Sequence, residues 1–341
     1  MNQLSLYGKN KEELLKQLPL TKSYQATQIQ QWLAKGVTSF DDMTTLSKEM
    51  RTLLTEQQVK IISSTVVDKQ TDPSGATKLA IELHDKQIVE AVLLVDAQGR
   101  KTACLSSQVG CAMGCTFCRT ATMGLVRNLK AFEIVEQFVH LTNLGDEISN
   151  IVYMGMGEPL ANLDEVIESI RYLNDKSLFN IGLRKITIST SGVVPGIEQL
   201  AKSDLPVRLA VSLVAAENSL RDEIMPVNKA FNLKKLKEAL INYQKVYKKR
   251  ITLEYVMLSK FNTSKESSEQ LARFIKNLDV VVNLIPWNPS DELKWAPPTS
   301  KEIDNFTSHL KSLNIPYTHR YSKGQKISGA CGQLAVKKVG V

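Results

Sequence analysis

Five cysteines fall where they could do chemistry together. Cys111, Cys115 and Cys118 form a Cys-x3-Cys-x2-Cys run, Cys104 precedes it, and Cys331 stands alone near the C-terminus. An odd count bunched in this way is not a disulfide framework, which spreads an even number through a smaller secreted chain. Three thiolates at this spacing can take three corners of a [4Fe–4S] cube and leave the fourth iron without a protein ligand. Gly110 and Gly114 let the loop close tightly and turn its amides toward the sulfides. A structural zinc site needs a fourth Cys or His nearby. The four histidines, His84, His140, His309 and His319, all lie outside the loop.

An open iron calls for a small-molecule ligand. S-adenosylmethionine (SAM) can chelate it through its amino and carboxylate groups, and one electron then breaks a C–S bond to give a deoxyadenosyl radical. The three-cysteine run, with Phe117 before its last cysteine, resembles that of radical SAM enzymes. Gly155-Met156-Gly157-Glu158 follows an expected strand. Its glycines permit close backbone approach, and Glu158 can accept hydrogen bonds from an ammonium. By itself the segment is an ordinary turn; beside the cysteine run it reads as a SAM site.

These side chains need a frame. Leu14, Leu15 and Leu18, then Ile29, Trp32 and Leu33, then Leu46, Met50, Leu53 and Leu54 repeat at helical spacing, giving a helical module over residues 1–60. Strand-like alternation follows at 78–84, 88–95 and 101–105, a β extension over 61–100 that leads into the core at 101–341. Beyond the cysteines, helices at 131–143, 163–174, 233–248 and 264–277 alternate with strands at 151–154, 184–188, 207–211, 250–257 and 280–285. That order predicts an α/β fold on a parallel sheet, open or closed as a barrel. Small or polar residues at the strand ends mark where such folds assemble their sites.

Further segments sharpen the resemblance. They are CLSSQVGC (104–111), GLVRNL (124–129), MGMGEPL (154–160), STSGVVP (189–195), RDEIMPVN (221–228), NLIPWNP (283–289) and ACGQL (330–334). Together with GVTSFDDM (36–43) and LSK (46–48) at the helical start, they resemble the radical SAM adenosine methyltransferases of 23S ribosomal RNA and tRNA, over nearly the whole chain. The likeness is closer to the branch that methylates C2 than to the branch that methylates C8. It implies a partial (βα)6-type radical SAM barrel, one [4Fe–4S] cluster on Cys111, Cys115 and Cys118, and two SAM molecules per turnover. An adenine C2–H is neither acidic nor nucleophilic, so direct methyl transfer cannot work there. By resemblance, Cys331 is methylated and becomes the radical that adds to the ring. A base then takes the C2 proton, and Cys104 attacks the Cys331 sulfur to release RNA as a disulfide forms. Glu90, locally an exposed strand carboxylate, aligns with the family's proton acceptor. Gly157, Glu158, Ser189, Ser212, Leu213, Val214 and Asn288 align with its SAM contacts.

The chain departs from the family pattern at Val214 and Ala216, where His and Pro are usual, and at Arg119, usually a small residue. Arg119 would place a cation beside the cluster, able to tune its potential or meet RNA phosphate. The net charge is +8, consistent with a polyanionic partner. The lysines of 232–250 read as a solvated helix face, and Lys337-Lys338 is equally indecisive. With no apolar leader at residues 1–13 and no apolar run of ~18 residues, the expectation is a cytoplasmic protein off the membrane; a monomer and an electron donor such as flavodoxin or ferredoxin are expected with the family resemblance. Rival readings are a C8 methyltransferase, a divergent paralogue with another RNA target, a radical SAM enzyme acting on a peptide or metabolite, and a non-catalytic iron–sulfur RNA-binding protein.

Overall fold

The computed structural model describes residues 5–145, 147–290 and 292–335. Lys337 and Lys338 lie outside the described residues. Three helices come first: α1 (Lys11–Gln17), α2 (Ser23–Leu33) and α3 (Lys48–Glu56). Asn10 caps α1 by accepting from the Glu13 amide, and Ser47 caps α3 by accepting from that of Met50. Their apolar faces bury Leu14, Ile29, Leu33 and Leu54 in the core that also fills the barrel.

A meander follows, β1 (Thr65–Thr71), β2 (Thr77–Glu82), β3 (Ile88–Val95) and β4 (Lys101–Cys104), antiparallel throughout. β1 is exposed along its length and forms one edge of the sheet, where Asp68 and Lys69 discourage further pairing. A small hairpin, β5 (Gln108–Gly110) and β6 (Leu125–Asn128), brackets the cysteine loop, with α4 (Arg119–Thr122) inside it. The helical module docks on the next helix, α5 (Ala131–Thr142). There the Asn143 amide donates to Gly36 O at 3.0 Å, and the Glu136 carboxylate accepts from the Ser63 and Ser64 amides at 2.8 and 3.0 Å.

The rest alternates: β7 (Asn150–Tyr153), α6 (Leu163–Asn174), β8 (Ile186–Thr190), α7 (Val194–Ala201), β9 (Arg208–Ser212), α8 (Asn218–Ile224), α9 (Val227–Ala230), α10 (Leu233–Tyr247), β10 (Ile251–Met257), α11 (Lys265–Ile275), β11 (Val280–Pro286), α12 (Ser300–Ser312) and β12 (Tyr317–His319). The strands form one sheet in the order β1-β2-β3-β4-β7-β8-β9-β10-β11-β12. From β4 to β12 every neighbouring pair is parallel. The units β4–α5, β7–α6, β8–α7, β9–α10, β10–α11 and β11–α12 make the (βα)6 arrangement, left open between β1 and β12. The strand expected at 184–188 begins later, because residues 183–185 form a 3₁₀ turn.

Helix α10 keeps its apolar residues Leu233, Leu236, Leu240 and Tyr243 inward. Lys234, Lys235, Lys245, Lys248 and Arg250 are exposed, and Lys237 lies over the Phe274 ring at 6.0 Å. The later lysines sit where α10 has returned to the N-terminal ends of the strands. They therefore lie at the far end of the barrel from the strand C-termini.

Candidate active site

The C-terminal ends of the strands enclose a cavity of about 130 Å³. Cys111, Cys115 and Cys118 line it with Gly157, Glu158, Ser189, Ser212 and Cys331. The hairpin shapes the cysteine loop: the Cys111 amide donates to Gly124 O at 2.8 Å, and Gln108 Nε2 donates to Asn128 Oδ1 at 2.8 Å. Gly110 has φ +75°, and a Cβ there would lie 1.9 Å from Gly124 O. The loop can close on the hairpin only without that side chain.

Burial pushes the Cys111 thiol up to about 11, and Cys118 adds to the shift. Cys115 is raised further, again chiefly by burial and then by Cys118 and Cys111, while Arg221 opposes. The three thiols therefore feel one another's charge. Among the described residues, however, no His, Cys, Asp or Glu set converges as the ligands of a single metal ion. Thiols arranged around a shared cavity suit the corners of a cluster better than one zinc ion, so the site fits the [4Fe–4S] group. Bound iron would hold them as thiolates against the effect of burial.

The Glu158 carboxylate is buried and stitches two loops together. It accepts from the Ser191 amide at 2.7 Å and the Leu160 amide at 3.0 Å, while its own amide donates to Gln108 Oε1 at 2.8 Å. Burial raises its pKa. Ser191 is buried on the cavity wall, with its side chain beside the Glu158 carboxylate. The two glycines of the segment serve the chain as well as any ligand. A Cβ on Gly155 would lie 2.8 Å from the Leu105 carbonyl, and one on Gly157, at φ +100°, 2.6 Å from Gln108 Cβ. Gly157→Ala combines that overlap with an unfavourable φ, so thermal or urea unfolding should show a loss of ~2–4 kcal/mol. A stability equal to wild type would contradict this packing.

Behind Cys115 lies Arg221, fully buried. It donates to Ser191 O at 2.6 Å, Leu213 O at 3.1 Å, Ser212 O at 3.3 Å and Asn228 Oδ1 at 3.0 Å. Burial lowers its pKa to about 10, so it stays charged near neutrality. It ties the ends of β8 and β9 together and sets a cation beside the thiols.

Three expected contacts do not line this cavity. Leu213 is buried beneath it, and its amide donates to Glu254 O at 3.0 Å. Val214 is buried at φ +58°, with its carbonyl accepting from Asn262 Nδ2 at 2.8 Å. Its side chain packs with Cys115 and Phe117 and does not reach the cavity wall. Asn288 spends its amide on the protein, donating to Cys331 O at 2.9 Å and accepting from Gln325 Nε2 at 2.6 Å.

A second cavity of about 550 Å³ adjoins the first. Cys104 opens into it from the end of β4, and Cys331, Met154, Arg320 and Leu334 line both. Cys104 and Cys331 are free thiols. Burial raises Cys104 to about 12, Cys331 adds to this, and Arg320 opposes. Cys331 is solvent-exposed yet enclosed by the cleft; that enclosure raises its pKa and Arg320 lowers it. Arg320 also attracts Glu254, whose buried carboxylate accepts from Asn283 Nδ2 at 2.8 Å.

The Cys331 loop is wired directly to the cluster loop. The Arg119 amide donates to Gly332 O at 2.8 Å, its guanidinium to Gln333 O at 3.3 Å, and Thr120 Oγ1 to Leu334 O at 2.7 Å. Arg119 is buried and paired with Glu292 at 2.7 Å. It is thus a latch between loops and is not presented to RNA phosphate.

Glu90, aligned with the family's proton acceptor and locally read as a plain exposed carboxylate, is buried and paired with Lys78 at 2.8 Å. Val92 is opposite Cys104 in the β3–β4 register, so Glu90, two residues away, shares the Cys104 face of the sheet. It lines neither cavity, and its Oε2 is buried without a partner. The sequence reading missed Ser191, Arg221, Glu254 and Arg320. The lone carboxylate in the otherwise apolar ITLEYVM strand was a signal for Glu254; Arg320 follows a three-residue strand and had none.

Comparison with known proteins agrees with this geometry. Residues 105–275 match the Radical SAM superfamily, and residues 4–60 match the ribosomal RNA large subunit methyltransferase N-terminal domain. The chain is 44% identical to a probable dual-specificity RNA methyltransferase RlmN of Treponema pallidum, over 99% of this chain and 98% of that one. It is 41% identical to the protein of the same name in Staphylococcus epidermidis, over 93% and 88% of the two chains. The crystal structure of a radical SAM methyltransferase from Sphaerobacter thermophilus superposes with a TM-score of 0.92 at 38% identity, covering 97% of this chain and 99% of that one. With its three-thiol cavity, its open (βα)6 barrel and its helical start, the chain belongs to the RlmN family of radical SAM RNA methyltransferases.

Proposed function

We propose that this protein methylates C2 of an adenine in 23S ribosomal RNA, and of a tRNA adenine, with Cys331 as the methyl carrier. The observation that supports this most is the position of Cys331 on the wall shared by the two cavities, with the cluster thiols in one and Cys104 in the other. When bound, the [4Fe–4S] cluster and SAM supply one-electron cleavage of a C–S bond. Cys111, Cys115 and Cys118 hold the cluster; Glu158, Ser189, Ser191 and Ser212 form the wall against SAM.

In this reading Cys331 first takes a methyl group from one SAM, and a second SAM is consumed in activating it. The methyl group on Cys331 gives up one hydrogen atom, carried off in 5′-deoxyadenosine, and its carbon bonds to adenine C2, joining the Cys331 sulfur to the RNA; the surplus electron would return to the cluster as the C2 proton leaves. The C2 proton goes to Glu90 on the strength of the family likeness; Glu90 shares the Cys104 face of the sheet but lies outside both cavities, paired with Lys78, so a shift of that pair has to bring its carboxylate to the base. The Cys104 thiolate attacks the Cys331 sulfur, the carbon–sulfur bond to the RNA breaks, the freed carbon takes up a proton to become the methyl group, and a Cys104–Cys331 disulfide remains for a reductant to reopen. Arg320 favours the thiolate form of both cysteines. The reading places the protein in the cytoplasm as a monomer, served by an electron donor such as flavodoxin or ferredoxin. No helix among the described residues is long and apolar enough to cross a membrane.

Mass spectrometry of nucleosides from a strain lacking the protein tests this. Loss of 2-methyladenosine from 23S ribosomal RNA and tRNA is expected. Loss of 8-methyladenosine with 2-methyladenosine intact would move the chain to the other branch.

A further inference from the structure

The larger cavity has a feature that neither the cluster chemistry nor the two catalytic thiols uses. Strand β12 is the outer edge of the sheet, and Tyr317, His319 and Tyr321 alternate along its direction. The Tyr317 and His319 rings meet edge-on at 5.4 Å and 86°, while those of His319 and Tyr321 are nearly parallel, 6.1 Å apart and inclined by 11°. His319 is exposed, and Tyr321 is 72% exposed. Its ring is therefore open to a ligand on the face turned away from His319.

Both rings line the cavity that holds Cys104 and Cys331. Its charged lining suits a polyanion. Of its cations, Arg100 pairs with Asp96 at 2.6 Å and Arg320 faces buried Glu254, which leaves Lys323 to meet a phosphate. Lys323 is exposed and forms no ion pair among the described residues. Flat exposed rings beside cations are what an unstacked nucleobase and its phosphate require. Such a platform is tolerant of sequence, since every base has a π-face.

We propose that Tyr321, backed by His319, is a stacking platform for an unpaired RNA base flanking the adenine delivered to Cys331. This rests on the RNA-methylating reading above and adds which side chains would hold a base beside the reacting adenine. Tyr321 lies beyond the last strand and makes no core contact, so replacing it leaves the fold intact; equal unfolding midpoints check this.

The test is fluorescence anisotropy with the cluster-loaded protein. The probes are a fluorescein-labelled stem–loop RNA with an adenine-containing single-stranded loop, and the same RNA annealed to its full complement. Wild type is expected to bind the stem–loop more tightly than the duplex. Tyr321→Ala should weaken stem–loop binding roughly tenfold and narrow the gap to the duplex, whereas Tyr321→Phe should keep wild-type affinity. His319→Ala should show a smaller loss in the same direction. If wild type binds and methylates RNA but Tyr321→Ala binds as tightly as wild type, the platform is overturned and the methyltransferase reading stands. An equal loss in Tyr321→Phe would also overturn it, by assigning the contact to the hydroxyl. If wild type neither binds nor methylates either RNA, both readings fall together.

Discussion

Cys331→Ala is expected to abolish RNA methylation, by ~10⁴-fold or more, because it removes the atom that carries the methyl group. The fold should survive. Cys331 is exposed, and the contact that seats its loop runs from Asn288 Nδ2 to the backbone carbonyl, which alanine retains. The links from Arg119 and Thr120 also end on backbone carbonyls. The cluster thiols are untouched, so the visible absorbance of the reconstituted cluster should match wild type. The measurement is methyladenine formed per protein under reducing conditions. Turnover within tenfold of wild type would remove Cys331 from the mechanism.

Cys104→Ala is expected to fail differently. Without the resolving thiol, RNA remains bonded to Cys331, and a covalent protein–RNA species accumulates to near one per protein while free methylated RNA falls ~10³-fold or more. A denaturing gel with labelled RNA reads this directly. The burial that raises Cys104 to about 12 makes a thiolate scarce near neutrality, and Arg320 is the cation on hand to favour it. The double variant Cys104→Ala, Cys331→Ala should form no adduct. An adduct in that background, or none with Cys104→Ala alone, would contradict the assignment of the two roles.

Much of this arrangement was legible in the sequence, for physical reasons that differ by element. The long helices α5, α6, α10 and α11 show sustained apolar periodicity, and the parallel strands are short apolar runs with polar ends. Their alternation dictated an α/β fold on a parallel sheet and the end at which the site lies, while the partial barrel was implied by the family resemblance. Elements that depend on tertiary contacts were not legible. Helix α7, with Pro195 and Gly196 in its first turn, was not among the expected helices; in the fold Leu160 lies against Gly196. Strand β12 has only three residues and is held by β11. Helix α12 did carry a signal, the Thr299–Glu302 capping box.

The site divides in the same way. Cys111, Cys115 and Cys118 are close in sequence and were read from spacing alone. Glu158, Ser189 and Ser212 end successive strands, so the fold gathers them. Leu213, Val214 and Asn288 fall at positions matched by family likeness, yet their side chains turn to the core or to the Cys331 loop. Arg119 is the sharpest case. Its position suggested a cation facing the cluster or RNA, but its pairing with Glu292 and Gln333 depends on loops far apart in sequence.

The central claim is that the methyl group reaches RNA by way of Cys331. The most direct measurement is tandem mass spectrometry of the Cys331 peptide after the cluster-loaded, reduced protein has received SAM with a deuterated methyl group and then unlabelled SAM with RNA. The label should be found on Cys331 before RNA is added, and should then leave the peptide and reappear in methyladenine. Label in RNA with none ever on Cys331 would contradict the account.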